Sequence, residues 1–335
     1  MYKSEVIHPS GIYAKVVADS IANGIRLTTM EVRFHRFILP EFNTHRMFSR
    51  NFSSSRAIPI AKMIEQVEND PAIPVHFGKN RAGMQATEEC DNKVVTGYYS
   101  DSYQGGPISD HKIVAWTKSA IDSAKWAKNF SDAGYHKQIV NRLLEPFQFV
   151  KGVITATEFD NFFALRDHEA AQPEIKVLAQ CMKQAMVESE PTELKYGEWH
   201  LPYVEGNDNL NFVMSKYLNK EDMLQDKIKC SVARCARSSY MKHDNTNPSV
   251  ADDLELYNQL VTRPYTDKRG FSYDENDPIH ASPAEHVATP LSYQDENYYW
   301  NTGNWPEGMS HLDKDGGFWS GNFKKWIQYR KLIGG

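Results

Sequence analysis

Asn23-Gly24 separates two runs of alternating apolar and polar residues, 16–21 and 26–34. Asn-Gly accepts the positive φ angles of a two-residue hairpin turn, so the two runs are constrained to pair as antiparallel strands. In the second run Met30, Val32 and Phe34 alternate with Glu31, Arg33 and His35. That period of two predicts one buried face.

Past the hairpin the pattern turns helical. Pro40 suits the first turn of a helix that carries His45 and Arg46 near its end, and residues 58–67 read as another helix. Residues 70–106, rich in Gly, Pro and polar groups, read as a long irregular excursion. Residues 110–133 form a long helix, 136–144 continue helical and stop before Pro146, and 149–157 are a strand. Helices follow over 159–166 and 174–187. The stripe Ile175, Leu178, Met182, Ala185 and Met186 places the second of these against the core. The aromatic run from Gly197 to Tyr203 is either a packed loop or part of a pocket wall. Ser249 with Asp252 caps a helix reaching Val261. Residues 263–279 are a charged loop insertion, and 320–333 read as a short basic helix.

Composition narrows the function. The net charge of −5 over 335 residues argues against a general nucleic-acid binder, so any phosphate site must be a local pocket. The four cysteines, Cys90, Cys181, Cys230 and Cys235, show neither zinc spacing nor a small-disulfide framework, and suit a reducing cytoplasm. No apolar run approaches membrane-spanning length. There is no Gly-x-Gly-x-x-Gly after a strand, no Walker loop and no Gly-x-Ser-x-Gly elbow. Glu285-His286, with His280 upstream, lacks the spacing of a metal site, and no metal is expected.

The densest functional candidate is 43–56. It holds Arg46, Arg50, Arg56, His45 and four serines, Ser49, Ser53, Ser54 and Ser55, with no acid. Guanidinium, hydroxyl and backbone N–H donors in one stretch suit a phosphate or another oxyanion. They also suit a basic loop that caps a helix.

Three blocks resemble the flavin-dependent thymidylate synthases. The first is Thr44-His45-Arg46 followed by Ser49, Asn51, Ser54 and Arg56. The second is Arg142, then Asn161-Phe162-Phe163-Ala164-Leu165-Arg166, then Ala171-Gln172-Pro173-Glu174-Ile175-Lys176. The third is Ala236-Arg237-Ser238-Ser239-Tyr240, then Ser282-Pro283-Ala284-Glu285-His286. The third block comes first in that family, so the chain resembles a circularly permuted member. The C-terminal Trp326-Ile327-Gln328-Tyr329-Arg330-Lys331 echoes the helix that follows Ser-Pro-x-Glu-His there. It reads equally as an ordinary terminal helix. Departures from the family pattern are Thr44 for Arg, Phe52 for Glu, Lys176 for Arg and Glu41 for Gln.

The resemblance implies a single α+β domain over 1–335, with a mixed or antiparallel sheet, long helices and insertions near 70–107 and 263–279. It implies a cytoplasmic homotetramer with no nucleic-acid or membrane partner. The implied reaction is C5 methylation of a pyrimidine deoxynucleotide, dUMP to dTMP. FAD is the cofactor, with methylenetetrahydrofolate and NADPH as cosubstrates. Hydroxymethylation of dUMP or dCMP, or a silent nucleotide- or flavin-binding homologue, are the alternatives. By the same resemblance His45, Arg46, Arg166, Ser282 and Glu285 hold the flavin. Arg56, Arg142, Ser53 and Ser55 bind the nucleotide, with the two arginines on its phosphate. Ser54 sits beside the pyrimidine, and Lys176 stabilises charge on its ring. Arg46 and Glu285 are then expected on one cleft, with Arg56 and Arg142 at an adjacent anion site.

Overall fold

The computed structural model describes residues 4–99, 106–204, 219–237 and 248–334. It is a mixed α+β chain with antiparallel sheets. The central sheet runs Ser4–Ile7, Tyr13–Ala22, Ile25–His35, Phe149–Ala156, Ser49–Phe52, each neighbour antiparallel. Thr192–Glu193 adds a short parallel pairing to the second strand. The Asn23-Gly24 turn has φ of 52° and 75°, as a type I′ turn requires.

One face of this sheet meets the helix Pro173–Glu188. Val16, Met30, Val32, Phe34, Val150 and Ile154 pack there against Ile175, Leu178, Met182 and Ala185. Phe42, Phe48, Phe52, Phe159 and Phe162 close the far end as a cluster of edge-to-face and tilted aromatic pairs. Gly152 makes that possible: a Cβ there would stand 2.1 Å from the Phe52 ring. The register shift at Val16/Ala18 turns Asp19 toward the helix side. Asp19 has no exposed surface and takes Nε and Nη2 of Arg26 at 2.9 and 2.6 Å, with Thr28 and Ser189 hydroxyls at 3.0 and 2.6 Å. Arg26 also donates to the carbonyls of Met186 and Ser189, which satisfies the end of the helix.

The second face is buried as well, which the alternation by itself does not predict. Ser20, Thr29, His35 and Thr155 are all fully buried. The C-terminal half covers much of this face. His200 bonds to Ser20 and Thr29, Tyr203 to Glu31, and Asn51 to the carbonyl of Cys235. The Gly197–Tyr203 run is therefore a packed segment, with Leu201 in a core shared by the helices Lys220–Arg237 and Val250–Val261. Asp253, also fully buried, joins these helices through Arg234 and Arg237 at 2.7 and 2.9 Å. Ser249 and Asp252 form the expected capping box.

Other expectations need correction. The helix at Pro40 spans only Leu39–Phe42, and His45 and Arg46 sit in the turns beyond it. The stretch 70–106 is not wholly irregular, since Val94–Tyr98 pairs with Pro107–Asp110. The other insertion carries the small hairpin Tyr265–Thr266 with Ser272–Tyr273. Helical turns run through Pro146 as a 3-10 segment, Asn141–Phe147. The basic terminal helix is mostly strand: Phe318–Ser320, Phe323–Lys324 and Trp326–Gln328 precede a single turn, Tyr329–Leu332. Trp326 is wholly buried, and its indole donates to the carbonyl of Ile25. Long-range packing at the hairpin therefore decides the conformation there.

Candidate functional site

A cavity of about 410 Å³ opens where the start of strand Ser49–Phe52 meets the C-terminal segment. Arg46, Arg50, Arg330 and Lys331 line it against one carboxylate, Glu285. Phe48, Ser282, Gly321, Asn322 and Gln328 complete the wall. Four cations against one acid make an anion-attracting cavity of a size that suits a small ligand.

Each group is placed by identifiable contacts. Phe42 packs in the aromatic core, and His45 N–H returns to its carbonyl at 3.1 Å. His45 is 9% exposed, and its ring meets Phe162 edge-on at 4.9 Å. Its Nε2 accepts from Nε of Arg166 at 2.8 Å. Burial, then the positive charges of Arg166 and Arg50, hold its pKa below the ordinary value. His45 is therefore a neutral acceptor that orients Arg166. Arg50 donates to the carbonyls of His45 and Phe48 at 3.0 and 3.3 Å, which ties the turn to the cavity. Desolvation lowers the Arg50 pKa, opposed by Glu285 and aided by Arg46.

Gln328 organises the opposite wall. Its Nε2 donates to Ser49 Oγ at 3.1 Å, to Asn322 Oδ1 at 2.8 Å and to the Glu285 carbonyl at 3.4 Å. Ser49 also donates to Asn322, whose amide reaches the carbonyl of Met47 at 2.7 Å. Gly321 has φ +60°, and a Cβ there would stand 2.4 Å from Gln328 Oε1. Arg330 pairs with Glu285, while its own Nε is buried without a partner. Gly321→Ala is accordingly expected to displace the Gln328 amide and to weaken ligand binding at the cavity about tenfold, roughly the cost of forcing a left-handed alanine. Unchanged binding by this variant, measured by calorimetry, would show that Gln328 does not shape the cavity.

A second donor group follows the other end of the same strand. Ser53 Oγ accepts from Lys151 N–H at 3.3 Å, and Ser54 Oγ from Arg56 N–H at 3.3 Å. Ser55, 2% exposed, donates to Glu145 Oε1 at 3.2 Å. Arg142 and Arg36 reach the same oxygen at 2.5 and 3.2 Å. Arg56 is exposed beside them in sequence. The two donor groups are about 10 Å apart along extended chain.

Among the sequence candidates, Arg46, Ser282 and Glu285 therefore share one cleft. His45 and Arg166 stand behind it, joined to each other. Ser55 and Arg142 share Glu145 in the second group, and Ser53, Ser54 and Arg56 adjoin Ser55 along the chain. Lys176, in the first turn of its helix, is half-buried. It is not among the residues that line the cleft. Ser238, Ser239 and Tyr240 lie outside the described residues. Sequence reading missed Arg36, Glu145, Asn322 and the working side of Gln328 and Arg330, and named Arg50 only as part of the donor-rich run. Of those missed, only Gln328 and Arg330 carried a signal, as the C-terminal echo.

Behind the cleft runs a buried polar chain. Ser20, His200, Thr29, Thr155 and His286 are linked in that order at 2.8, 2.7, 2.7 and 2.8 Å. His286 ends it with Nε2 buried and unpartnered, and desolvation pushes its pKa down to about 3. An unfolded histidine titrates near 6.5. Between those values the unfolded chain binds a proton that the folded chain refuses, so stability falls as pH drops through the window. His286→Asn is expected to flatten the loss of melting temperature between pH 7 and pH 5. An unaltered pH slope would show that the histidine is not the group responsible.

Among the described residues no cluster suited to a metal ion occurs, and no helix is long and apolar enough to cross a membrane. No known family pattern and no curated protein matches the chain. Among solved structures it is similar to a UMP/dUMP methylase, PolB, from Streptomyces cacaoi, bound with 5-Br dUMP. The identity is 17%, covering 49% of this chain and 68% of that one, with a TM-score of 0.32.

Proposed function

We propose that this chain is a flavin-dependent enzyme that methylates C5 of a pyrimidine deoxynucleotide, taking dUMP to dTMP with methylenetetrahydrofolate as carbon donor and NADPH as reductant. The observation that carries the reading is the convergence of Arg46 and Arg50 with Ser282, Glu285 and Arg330, from sequence blocks far apart, on one cation-rich cavity. That placement suits a permuted member of the family whose motifs the sequence resembles.

The cavity fits the diphosphate of FAD. It offers four cations and a buried, unpartnered Arg330 Nε. Among the described residues Phe48 is the one aromatic ring in its wall, so a ring system would extend beyond this lining. Bound reduced FAD would supply the hydride for the methyl product. Arg46, Arg50 and Lys331 would hold the phosphates, and Arg166 would be kept in place by His45. Arg56 and Arg142 would hold the nucleotide phosphate and Ser54 the pyrimidine. Lys176 would complete the site from another subunit of a homotetramer. Three thiols are poorly suited to nucleophilic attack on the base, which agrees with a flavin route: Cys181, Cys230 and Cys235 are buried, and burial pushes Cys230 up to about 12.

Phe52, where the family has an acid, packs against Phe34 and Phe42 instead. Contacts to the base must therefore differ, and dCMP or a hydroxymethyl product remains a second reading on that ground. Mass analysis of products from dUMP and dCMP, with methylenetetrahydrofolate and reduced FAD, separates them. A methyl adduct on dUMP is expected, and no product from either nucleotide would overturn the proposal. Arg56→Ala and Arg142→Ala should each weaken dUMP by about 1.5–3 kcal/mol, the scale of a charge-assisted hydrogen bond. Unchanged calorimetric affinity in both variants would place the phosphate elsewhere.

A further inference from the structure

The group around Arg36 contains a carboxylate where an anionic ligand would be expected. Ser55 Oγ, Arg142 Nη1 and Arg36 Nε all converge on a single oxygen, Glu145 Oε1, at 3.2, 2.5 and 3.2 Å. The donors are recessed to different depths. The Arg36 side chain is 13% exposed and Ser55 2%, Glu145 is 31% exposed, and Arg142, at 51%, stands outermost, so the carboxylate lies between a recessed guanidinium and an exposed one. Arg36 also donates to the Ser53 carbonyl and reaches Ser55 Oγ, at 3.4 and 3.5 Å. Its guanidinium thus faces the same serine run from below.

We propose that Glu145 is a built-in competitor, an internal carboxylate that occupies the oxyanion site formed by Arg36, Arg142 and Ser55 and is displaced by a phosphate monoester. Three physical arguments support it. A desolvated guanidinium needs an anion beside it, and without a ligand Glu145 supplies one. Displacement requires only a side-chain rotation. The neighbouring backbone is held by Asn141, whose amide donates to the carbonyls of Ser55 and Ile58 at 2.6 and 3.0 Å, and by the Phe147 carbonyl, which accepts from Ala72 N–H at 2.9 Å. Finally, one carboxylate charge sets a threshold. A dianionic monoester brings more charge to Arg36 and Arg142 than Glu145 does. A monoanionic diester only matches it and gains little by exchange. Arg36 becomes a binding residue, and Glu145 becomes the group that selects monoesters over diesters. Only the identity of the ligand, a nucleotide, rests on the function proposed above.

Calorimetric titration of the full chain at pH 8 with inorganic phosphate, dimethyl phosphate and dUMP tests this. Glu145→Gln keeps the size and removes the charge. It should tighten inorganic phosphate at least tenfold and admit dimethyl phosphate, which the unaltered protein should not bind detectably. Its melting temperature should fall without ligand and recover with phosphate. Phosphate affinity within twofold of the unaltered protein would overturn the proposal and leave Glu145 as a structural partner of Arg36. If phosphate tightens and dUMP does not bind, the competitor stands and the nucleotide reading falls. If dUMP binds the unaltered protein but neither ligand tightens in the variant, the reverse holds. Should Glu145→Gln fail to fold, Glu145→Asp keeps the charge and shortens its reach. A threefold gain for phosphate is then expected, and no gain overturns the proposal.

Discussion

Arg330→Ala is expected to weaken FAD binding about a hundredfold. The substitution acts twice. It removes one of four cavity cations, and it frees the Glu285 carboxylate that Arg330 now pairs with. A lost charge-assisted bond is worth about 1.5–3 kcal/mol, and an unpaired carboxylate facing a diphosphate adds repulsion. About 3 kcal/mol in total corresponds to roughly a hundredfold, at 1.4 kcal/mol per tenfold. Adding Glu285→Gln to this variant should recover part of the loss, because it removes the repulsion without restoring the cation. Equilibrium titration of apoprotein with FAD, followed by flavin fluorescence, measures both. If Arg330→Ala retains FAD as tightly as the unaltered protein, the cavity is not the diphosphate site.

Asp19→Ala is expected to cost about 3 kcal/mol of folding stability. Removing one partner of a buried ion pair typically costs 3–5 kcal/mol, and the quarter exposure of the Arg26 side chain places this case at the low end. Arg26 would keep its two helix-end carbonyls but lose its counterion, and Thr28 and Ser189 would lose their acceptor. Ser189→Ala, which removes one hydrogen bond, should cost only about 1 kcal/mol. Urea unfolding of the two variants gives the comparison. Equal losses in both would mean that the carboxylate is an ordinary hydrogen-bond acceptor and not the pin between helix and hairpin.

Much of the fold was legible because local chemistry and tertiary packing agree. The Asn23-Gly24 turn needs positive φ, and both residues adopt it cheaply. The Ile175-to-Ala185 stripe repeats at helical period and meets a sheet face that repeats at two. The Ser249/Asp252 box closes on its own backbone. Where local pattern and packing diverged, the reading failed. Residues 320–333 have enough basic and apolar character for a helix, but Trp326 is drawn to the hairpin and Gln328 to Ser49, and strand geometry follows. His45 belongs to the donor-rich run, and packing turns it inward against Phe162, where it holds Arg166.

The sequence by itself determined the elements whose causes lie within a few residues: the hairpin, its apolar face, the helices and their caps, and the donor-rich run from His45 to Arg56. Arg46 and Glu285, expected on one cleft from the motifs that the chain resembles, line one cavity. Tertiary structure alone decided what covers the second face of the sheet, where Ser20, Thr29 and Thr155 are buried by meeting His200 and His286. It alone decided that Gln328 bridges Ser49, Asn322 and Glu285, and that Glu145 sits between Arg36 and Arg142. The reason is the range of the interactions. Turns, caps and periodicity are properties of neighbouring residues, whereas a side chain's hydrogen-bond partner is whatever polar group the packed chain brings within about 3 Å.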